Sequence, residues 1–241
     1  MALMANLGCN RLDSITAIFF DLDNTLLDHT YASKMAKREL YQQYQAVFGH
    51  IPFDELFRVY NHYNDLLWKQ LEQGTVTREY VRYQRFANLL AHFGLPPDLA
   101  RTLGEKYLGI YGRYWRLYEG VPEVLEYLRS QYPLGLITNG FADVQHQKIN
   151  QFDLKPYFQV ILISDEIGVM KPHRGIFDTA AHQVEQPPDH LLFVGDSYTS
   201  DIQGAHQCGW KTVWVRPATQ ARPDSVADAE VESITELVEM L

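Results

Sequence analysis

The sequence predicts an α/β protein with a Rossmann-like, doubly wound parallel sheet and an inserted bundle of four helices. Short apolar runs, typical of strands buried on both faces, alternate with amphipathic helical segments. One long stretch after the first strand contains helical segments only. Because alternating strands and helices indicate a parallel sheet covered on both faces, the uninterrupted helices are expected to form an insert.

Five apolar runs predict the strands of the sheet: residues 15–20, 134–138, 159–164, 191–195 and 211–215. Between them, helical periodicity covers residues 122–132, 142–152, 174–184 and about 200–208. Ser233 and Glu236 have the spacing of a capping box, which predicts a helical turn near the end of the chain.

The inserted helices are predicted over residues 31–48, 53–73, 77–93 and 97–115, with glycine and proline turn signals between them. We therefore expect residues 1–28 and 117–241 to form the core, with a loose extension over the first dozen residues, and residues 29–116 to form the inserted domain. More than half of the aromatic residues lie in the insert, where they would fill the interior of a small bundle. Arg82 and Arg85 are candidates for selecting the leaving group, but a solvated face of the bundle is the expected explanation.

The composition limits the classes of partner. A net charge of −9 argues against a nucleic-acid polymer or an anionic membrane, but not against a small anionic substrate held by a metal ion or local cations. The cysteines Cys9 and Cys208 form no disulfide framework and fit a reducing cytoplasm, and Cys208 is expected to be a small buried hydrophobe. We find no signal-peptide pattern and no apolar run of membrane-spanning length. A monomer or a weak homodimer is expected.

Two aspartates follow the first predicted strand. Asp21 and Asp23 are two residues apart, so on an extended strand their side chains point to one side and Leu22 points to the other. Neighbouring carboxylates repel one another unless a proton or a cation neutralises one of them. By themselves the two residues are equally consistent with a turn and with a reaction centre, because parallel sheets bind ligands beyond the carboxyl ends of their strands.

Polar groups also follow the second and third predicted strands. Thr138, Asn139 and Gly140 offer a hydroxyl, an amide and an accessible backbone N–H just before a helix, where an anion is favoured. Helix capping by Thr138 or Asn139 is the alternative explanation. Lys171 stands in a loop at the same edge, fixed by Pro172, although a lysine in a loop is more often a solvated surface residue.

The fourth predicted strand ends in Gly195 and is followed by Asp196 and Ser197, with Asp201 five residues after Asp196. An oxygen-rich edge of this kind suits Mg²⁺, which takes one or two carboxylates together with waters and phosphate oxygens. Histidine and cysteine ligands suited to zinc are absent from this edge. Polar groups at four strand ends are hard to explain as four separate turns, so the combination favours a reaction centre.

Four segments, taken in order, resemble the haloacid dehalogenase superfamily of phosphatases: Asp21–Thr25, Thr138–Asn139, Lys171–Pro172 and Gly195–Ser197 with Asp201. The resemblance extends over nearly the whole chain, and the helical insert is similar to the four-helix cap of the first cap class of that superfamily. One position departs from the pattern, because Asn24 stands where many members have glycine.

A second group of residues resembles the pyrimidine nucleotide 5'-phosphatases of the superfamily: Trp68, Gly74, Thr77, Arg85 and Phe86, together with residues 137–141. The resemblance implies a hydrolase of small phosphomonoesters, with nucleoside 5'-monophosphates as the preferred substrates. Phosphatases of sugar phosphates or phosphoglycolate, and phosphomutases, remain open as alternatives.

The superfamily resemblance also implies a covalent reaction. Asp21 would be the nucleophile and form an aspartyl-phosphate that water then hydrolyses, and Asp23 would act as the general acid and base. Mg²⁺ would be held by Asp21, the main-chain carbonyl of Asp23, and Asp196, with Ser197 as a supporting residue.

Other residues of the pattern would bind the phosphate. Thr138, Lys171 and the amide of Gly140 or Asn139 would hold the phosphoryl oxygens, and Asp201 would orient Lys171 or a metal-bound water.

Two further classes compete with a phosphatase. Haloacid dehalogenases of the superfamily lack the second aspartate, since a halide leaves without a proton, so Asp23 argues against dehalogenation. A phosphorylation-driven receiver domain also combines acidic residues, a threonine and a lysine on a parallel sheet. Such domains are about half this length, and a long helical insert after the first strand is unexpected there.

Overall fold

A computed structural model describes residues 12, 14–217, 219 and 222–241. The described chain forms two compact units. One contains the residues up to Leu27 and those from Leu117 onwards, and the other is Asp28–Arg116. The loose extension expected over the first dozen residues, with Cys9, lies outside the described residues except for Leu12.

The first unit is built on a six-stranded parallel sheet with the strand order β3-β2-β1-β4-β5-β6. Its strands are β1 (Ala17–Phe20), β2 (Leu134–Thr138), β3 (Val160–Ile163), β4 (Leu191–Gly195), β5 (Lys211–Val215) and β6 (Ala229–Val231). The doubly wound α/β fold and the five predicted strands are confirmed. The sequence did not reveal β6, because three residues are too few for an apolar run to stand out.

Helices account for most of the remaining described residues. They are α1 (His29–Gln43), α2 (Gln45–Phe48), α3 (Phe53–Glu72), α4 (Arg78–His92), α5 (Leu99–Tyr111), α6 (Val121–Arg129), α7 (Ala142–Gln151), α8 (Ser164–Ile167), α9 (Arg174–Val184), α10 (Gly204–Gln207) and α11 (Leu237–Met240). The helix predicted near residues 200–208 begins as a π-helical segment, Tyr198–Gln203, and continues as α10. The capping box of Ser233 and Glu236 is present. No described helix combines the length and the apolar character needed to cross a bilayer.

Aromatic rings fill the layer between the sheet and α9. Phe177 meets Phe193 and Trp210 edge to face, with ring centroids 5.6 and 5.7 Å apart, and Phe19 lies 5.1 Å from Trp210. Cys208 is 6% exposed in the same apolar cluster, as predicted. This packing fixes the central strands, which carry the polar residues at their carboxyl ends.

The second unit is helical. In it α3 packs on α4, and α1 and α4 both pack against α5. Tyr60, Phe86 and Tyr107 form an aromatic cluster with ring centroids 5.1–6.0 Å apart. Six aromatic residues of this segment are buried and fill its interior, as the sequence predicted for the group, whereas Tyr80 is 47% exposed.

The expectation that Arg85 belongs to a solvated face is wrong. Its side chain is 6% exposed, and the guanidinium carbon lies 5.3 Å from the ring centroid of Tyr107. One guanidinium nitrogen donates to Asn64 Oδ1 at 3.3 Å. A planar guanidinium can pack on aromatic rings, so a helix position that looks solvated in sequence can be buried.

Candidate active site

The carboxyl ends of three adjacent strands define the site. β1 lies between β2 and β4. From β1 the chain first builds the sheet outward on one side, through β2 and β3, and then on the other side, from β4 to β6. Asp21 follows β1, Thr138 ends β2 and Asp196 follows β4. This is the topological switch point of a doubly wound sheet, where ligands bind beyond the strand ends.

Lys171 joins two aspartates at this edge. Its Nζ lies 2.7 Å from Asp21 Oδ1 and 2.8 Å from Asp201 Oδ1, and it donates to the carbonyl of Ile137 at 2.8 Å. The residue is only 1% exposed. Lys171 is therefore a buried cation, and the alternative of a solvated loop lysine is wrong.

The charged groups at the site shift one another's pKa values. Burial raises the pKa of Asp21 to about 7, although the Lys171 ammonium acts in the opposite direction. Burial opposes the charge on Lys171, but the carboxylates of Asp201 and Asp21 outweigh it and raise the pKa of the ammonium. Burial, followed by the charges of Asp21 and Asp201, raises the pKa of Asp196 well above its usual value. The site is thus short of positive charge.

The donor atoms fit a divalent cation. Carboxylate oxygens of Asp21, Asp196 and Asp201 lie within 4.8 Å of one another. Within the described ranges, no lysine or arginine forms an ion pair with Asp196, whose main-chain carbonyl accepts a hydrogen bond from Trp214 Nε1 at 2.8 Å. Buried carboxylate oxygens in excess over cations form the type of donor set that Mg²⁺ takes.

Asp201 reaches the site because position 195 is glycine. A Cβ atom on Gly195 would lie 2.3 Å from Asp201 Oδ2, closer than side chains can approach. The same oxygen accepts from the Ser197 N–H at 3.0 Å, and the Ser197 hydroxyl caps the following helical segment. Ser197 therefore supports Asp201, and Asp201 lies against Lys171.

The Thr138–Gly140 segment is tied to neighbouring loops. Asn139 Nδ2 donates to the carbonyl of Lys171 at 2.8 Å, and Lys171 N donates to Asn139 Oδ1 at 2.9 Å. The Gly140 N–H donates to Ser164 Oγ at 3.2 Å. The amide of Gly140 thus already has a partner, whereas the Asn139 side chain holds the backbone that carries the lysine.

Two residues that the sequence analysis missed lie against Asp23. Lys148 Nζ is 2.7 Å from both carboxylate oxygens of Asp23, and Gln145 Nε2 is 3.1 Å from one of them. Gln145 Nε2 also donates to Thr138 Oγ1 at 2.6 Å. The available signal was the periodicity of α7, because Gln145 and Lys148 occupy its buried face together with Ile149. Polar residues at positions where a helix needs apolar ones indicate a buried polar contact.

The unusual residue in the first segment has a conformational explanation. Asn24 has a φ of 63°, in the left-handed region that favours glycine and, among other residues, asparagine. Its N–H donates to the carbonyl of Leu27 at 2.7 Å, which closes the turn after Asp23. The substitution of glycine by asparagine therefore preserves the turn.

Comparison with known proteins assigns the family. A family model described as haloacid dehalogenase-like hydrolase matches residues 18–215, a span that contains every residue of the site. The chain belongs to the haloacid dehalogenase-like hydrolases. The resemblance stated from the four segments is thereby confirmed.

Relatives of this haloacid dehalogenase-like hydrolase include enzymes named for different phosphate substrates. Pyrimidine 5'-nucleotidase YjjG of Escherichia coli (strain K12) is 30% identical over 93% of this chain and 96% of its own. A glyceraldehyde 3-phosphate phosphatase of Pyrococcus furiosus is 31% identical over 94% of this chain and 93% of its own. The Bacillus subtilis protein YfnB, in a crystal structure bound to magnesium, has a TM-score of 0.80 and 29% identity, covering 94% of this chain and 98% of that chain.

Proposed function

We propose that this hydrolase is a Mg²⁺-dependent phosphatase that acts through an aspartyl-phosphate on Asp21, with nucleoside 5'-monophosphates of pyrimidines as substrates. The observation that carries the proposal is the position of Asp21. Its carboxylate lies beyond the central strand, in contact with the buried Lys171 ammonium and close to the oxygens of Asp196 and Asp201. A nucleophile, a cation and a metal-type donor set converge there, as phosphoryl transfer requires.

In the first step, an oxygen of Asp21 attacks the phosphorus atom. The bond between phosphorus and the leaving oxygen breaks, its electron pair stays on that oxygen, and the oxygen takes a proton from the carboxyl group of Asp23. In the second step, water attacks the phosphorus of the aspartyl-phosphate and gives its proton to the Asp23 carboxylate. The bond to Asp21 then breaks, which restores both aspartates and releases phosphate.

Three groups would hold the phosphoryl oxygens during both steps. They are the Thr138 hydroxyl, the main-chain N–H of Asn139 and the Lys171 ammonium. The three N–H donors of Lys171 bind Asp21, Asp201 and the Ile137 carbonyl, so one of them must turn to the phosphoryl oxygen. The Gly140 amide could join them only by exchanging Ser164 for a phosphoryl oxygen. Donors fixed in advance stabilise the charge that develops on these oxygens in the transition state.

The carboxylate oxygens of Asp21 and Asp196 suit Mg²⁺, and we assign the main-chain carbonyl of Asp23 as a further ligand. When bound, Mg²⁺ would neutralise negative charge between the phosphate and the nucleophile. Asp201 is already engaged by Lys171 and by the Ser197 N–H, so we assign it the role of orienting Lys171.

The substrate class rests on relatives. The similarity to a pyrimidine 5'-nucleotidase covers almost the whole chain, which supports nucleoside monophosphates. The similarity to a glyceraldehyde 3-phosphate phosphatase is equally extensive, which makes a small phosphorylated sugar the second candidate. Both are phosphomonoesters whose leaving oxygen needs a proton, so the role of Asp23 is the same for each.

A phosphate-release screen tests the function. The purified chain with Mg²⁺ is assayed against pyrimidine and purine nucleoside monophosphates, sugar phosphates, phosphoglycolate and a haloacid. We expect release of inorganic phosphate, fastest from pyrimidine nucleotides, and no halide. Preference for a sugar phosphate would replace the substrate assignment, and recovery of an isomeric phosphoester in place of free phosphate would identify a mutase.

The variant Asp21→Asn tests the chemistry. It keeps the shape of the side chain but removes the nucleophile, so phosphate release should fall to background. Asp153→Asn, an exposed substitution outside the site, serves as the matched control. Phosphate release by Asp21→Asn at the wild-type rate would overturn the assignment of Asp21.

A further inference from the structure

Helix α7 directs two polar side chains into the protein. Gln145 and Lys148 are three residues apart and share one helix face, where they are 1% and 2% exposed. Their neighbours His146 and Gln147 are exposed. Burying an amide and an ammonium costs free energy unless partners satisfy them, so the identity of those partners indicates what the pair does.

The pair holds the carboxyl group of Asp23 from one side. Lys148 Nζ contacts both of its oxygens at 2.7 Å and Gln145 Oε1 at 2.8 Å, and Gln145 Nε2 reaches Asp23 Oδ2 at 3.1 Å. These donors occupy lone pairs of the carboxylate on the side of α7. A proton carried by Asp23 is therefore directed to the lone pairs on the other side.

Gln145 also fixes the hydroxyl group of Thr138, at 2.6 Å. A threonine hydroxyl has one proton and two lone pairs. Because a Gln145 N–H occupies a lone pair, the Thr138 proton is left for a different acceptor. Gly140 makes room for this contact, since a Cβ atom there would lie 2.7 Å from the Gln145 side chain.

We propose that Lys148 and Gln145 are positioning residues, which hold the proton-transferring carboxyl group of Asp23 and the phosphate-binding hydroxyl of Thr138 in one fixed arrangement. The proposal rests on the proposed function, because it uses the roles given there to Asp23 and Thr138. A carboxyl group rotated away from the leaving oxygen cannot deliver its proton. A purely stabilising role would not need these residue types, because hydrophobic residues of similar volume often replace a buried ion pair without loss of stability.

The dependence of kcat/KM on the leaving group distinguishes a positioning role of Lys148 from a purely stabilising one. The value of kcat/KM reports the transfer of the phosphoryl group to Asp21, in which a nucleotide needs a proton on its leaving oxygen and p-nitrophenyl phosphate does not. In Lys148→Met we expect kcat/KM to fall about 100-fold for uridine 5'-monophosphate. For p-nitrophenyl phosphate we expect a fall of less than about 10-fold, because general acid assistance contributes little there. Equal losses for the two substrates would overturn the proposal.

A double-mutant cycle with Asp23→Asn gives an independent readout. If Lys148 acts through Asp23, adding Lys148→Met to Asp23→Asn should change kcat/KM for the nucleotide by less than about 3-fold, because interacting residues are non-additive. If the full loss is seen again in the double variant, Lys148 does not act through Asp23 and the proposal is wrong.

Control variants separate the proposal from a failure to fold and from a failure of the proposed function. Gln147→Met, on the exposed face of the same helix, should match the wild type in melting temperature and in both activities. If Lys148→Met does not fold, Gln145→Met is used for the same comparison of the two substrates. Lys148→Arg keeps the positive charge and should retain more nucleotide activity than Lys148→Met. A wild-type chain that releases no phosphate from either ester contradicts the proposed function itself. Activity in the wild type with equal losses in the variants contradicts only the positioning role.

Discussion

The side chain of Asn139 and the backbone of Lys171 exchange two hydrogen bonds, of 2.8 and 2.9 Å. They join the loop after β2 to a loop that begins beyond β3. Lys171 reaches Asp21 through a four-carbon side chain, so the position of its backbone decides where the ammonium lies. Asn139 is thus placed to hold the cation that the proposed reaction needs.

Replacing Asn139 by alanine should loosen that cation. We expect kcat/KM for phosphate release to fall about 10- to 100-fold, because a small displacement of a phosphate-binding group is costly in a preorganised site. Melting temperature and steady-state kinetics are the measurements. Asn150→Ala, at an exposed position of α7, is the control and should behave as the wild type. Unchanged kinetics in Asn139→Ala would show that Lys171 keeps its place without these bonds.

Removing one carboxylate should weaken metal binding. Asp196→Asn keeps the side-chain shape but removes a negative charge from the oxygen cluster. We expect the Mg²⁺ dissociation constant to rise by about 10-fold or more, and the rise in melting temperature on adding Mg²⁺ to shrink accordingly, since a ligand stabilises the state that binds it. Calorimetric titration and thermal unfolding provide both values. Exposed Asp189→Asn serves as the control, and identical Mg²⁺ affinity in Asp196→Asn would remove Asp196 from the metal site.

A methyl group at position 195 should displace Asp201. In Gly195→Ala the new Cβ would lie 2.3 Å from Asp201 Oδ2, so the carboxylate must leave Lys171 or the backbone must move. We expect a loss of about 1–3 kcal/mol in the free energy of unfolding, as for other overpacked sites, together with a marked loss of activity. Gly109→Ala is the matched control, because a Cβ there meets nothing within 4 Å. Position 109 lies in α5, where alanine should stabilise the helix by about 0.5–1 kcal/mol.

The helical unit should show a pH-dependent stability that originates in Lys37. Burial, and then the charge of Arg85, lower the pKa of Lys37 to about 7. The unfolded chain, with the ordinary lysine pKa, therefore binds this proton more tightly than the folded chain. The contribution of Lys37 to stability is thus lost progressively as pH falls through the window from the ordinary lysine pKa to about 7, and is constant below it.

Lys37→Met removes the titrating group. Near pH 10 the variant should be the less stable, because it lacks the hydrogen bonds of the amine to Ser33 and Asn61. As pH falls from 10 to 7, the free energy of unfolding of the variant should rise relative to that of the wild type by about a few kcal/mol. Urea unfolding across this range measures the difference, with exposed Lys34→Met as the control. A difference independent of pH would mean that Lys37 stays charged in the fold.

Local patterns carried the main features of the fold. The apolar runs that became β1, β2 and β4 were visible because strands buried on both faces need continuous hydrophobic residues. The site residues at their ends were visible because parallel strands deliver their carboxyl ends to one edge. The same reasoning wrongly predicted a solvated Arg85, because a local pattern does not show that aromatic rings from other helices surround a guanidinium group.

The sequence by itself determined the alternation of strands and helices, the helical insert and the residue types at the edge of the sheet, because periodicity and strand ends are local properties of the chain. The tertiary structure decided which of these residues touch. Lys171 reaches Asp21 across 150 residues, and Lys148 reaches Asp23 across 125. Those contacts depend on β1 lying between β2 and β4 and on the face that α7 turns inward. Both follow from the packing of the whole sheet, which no single segment specifies.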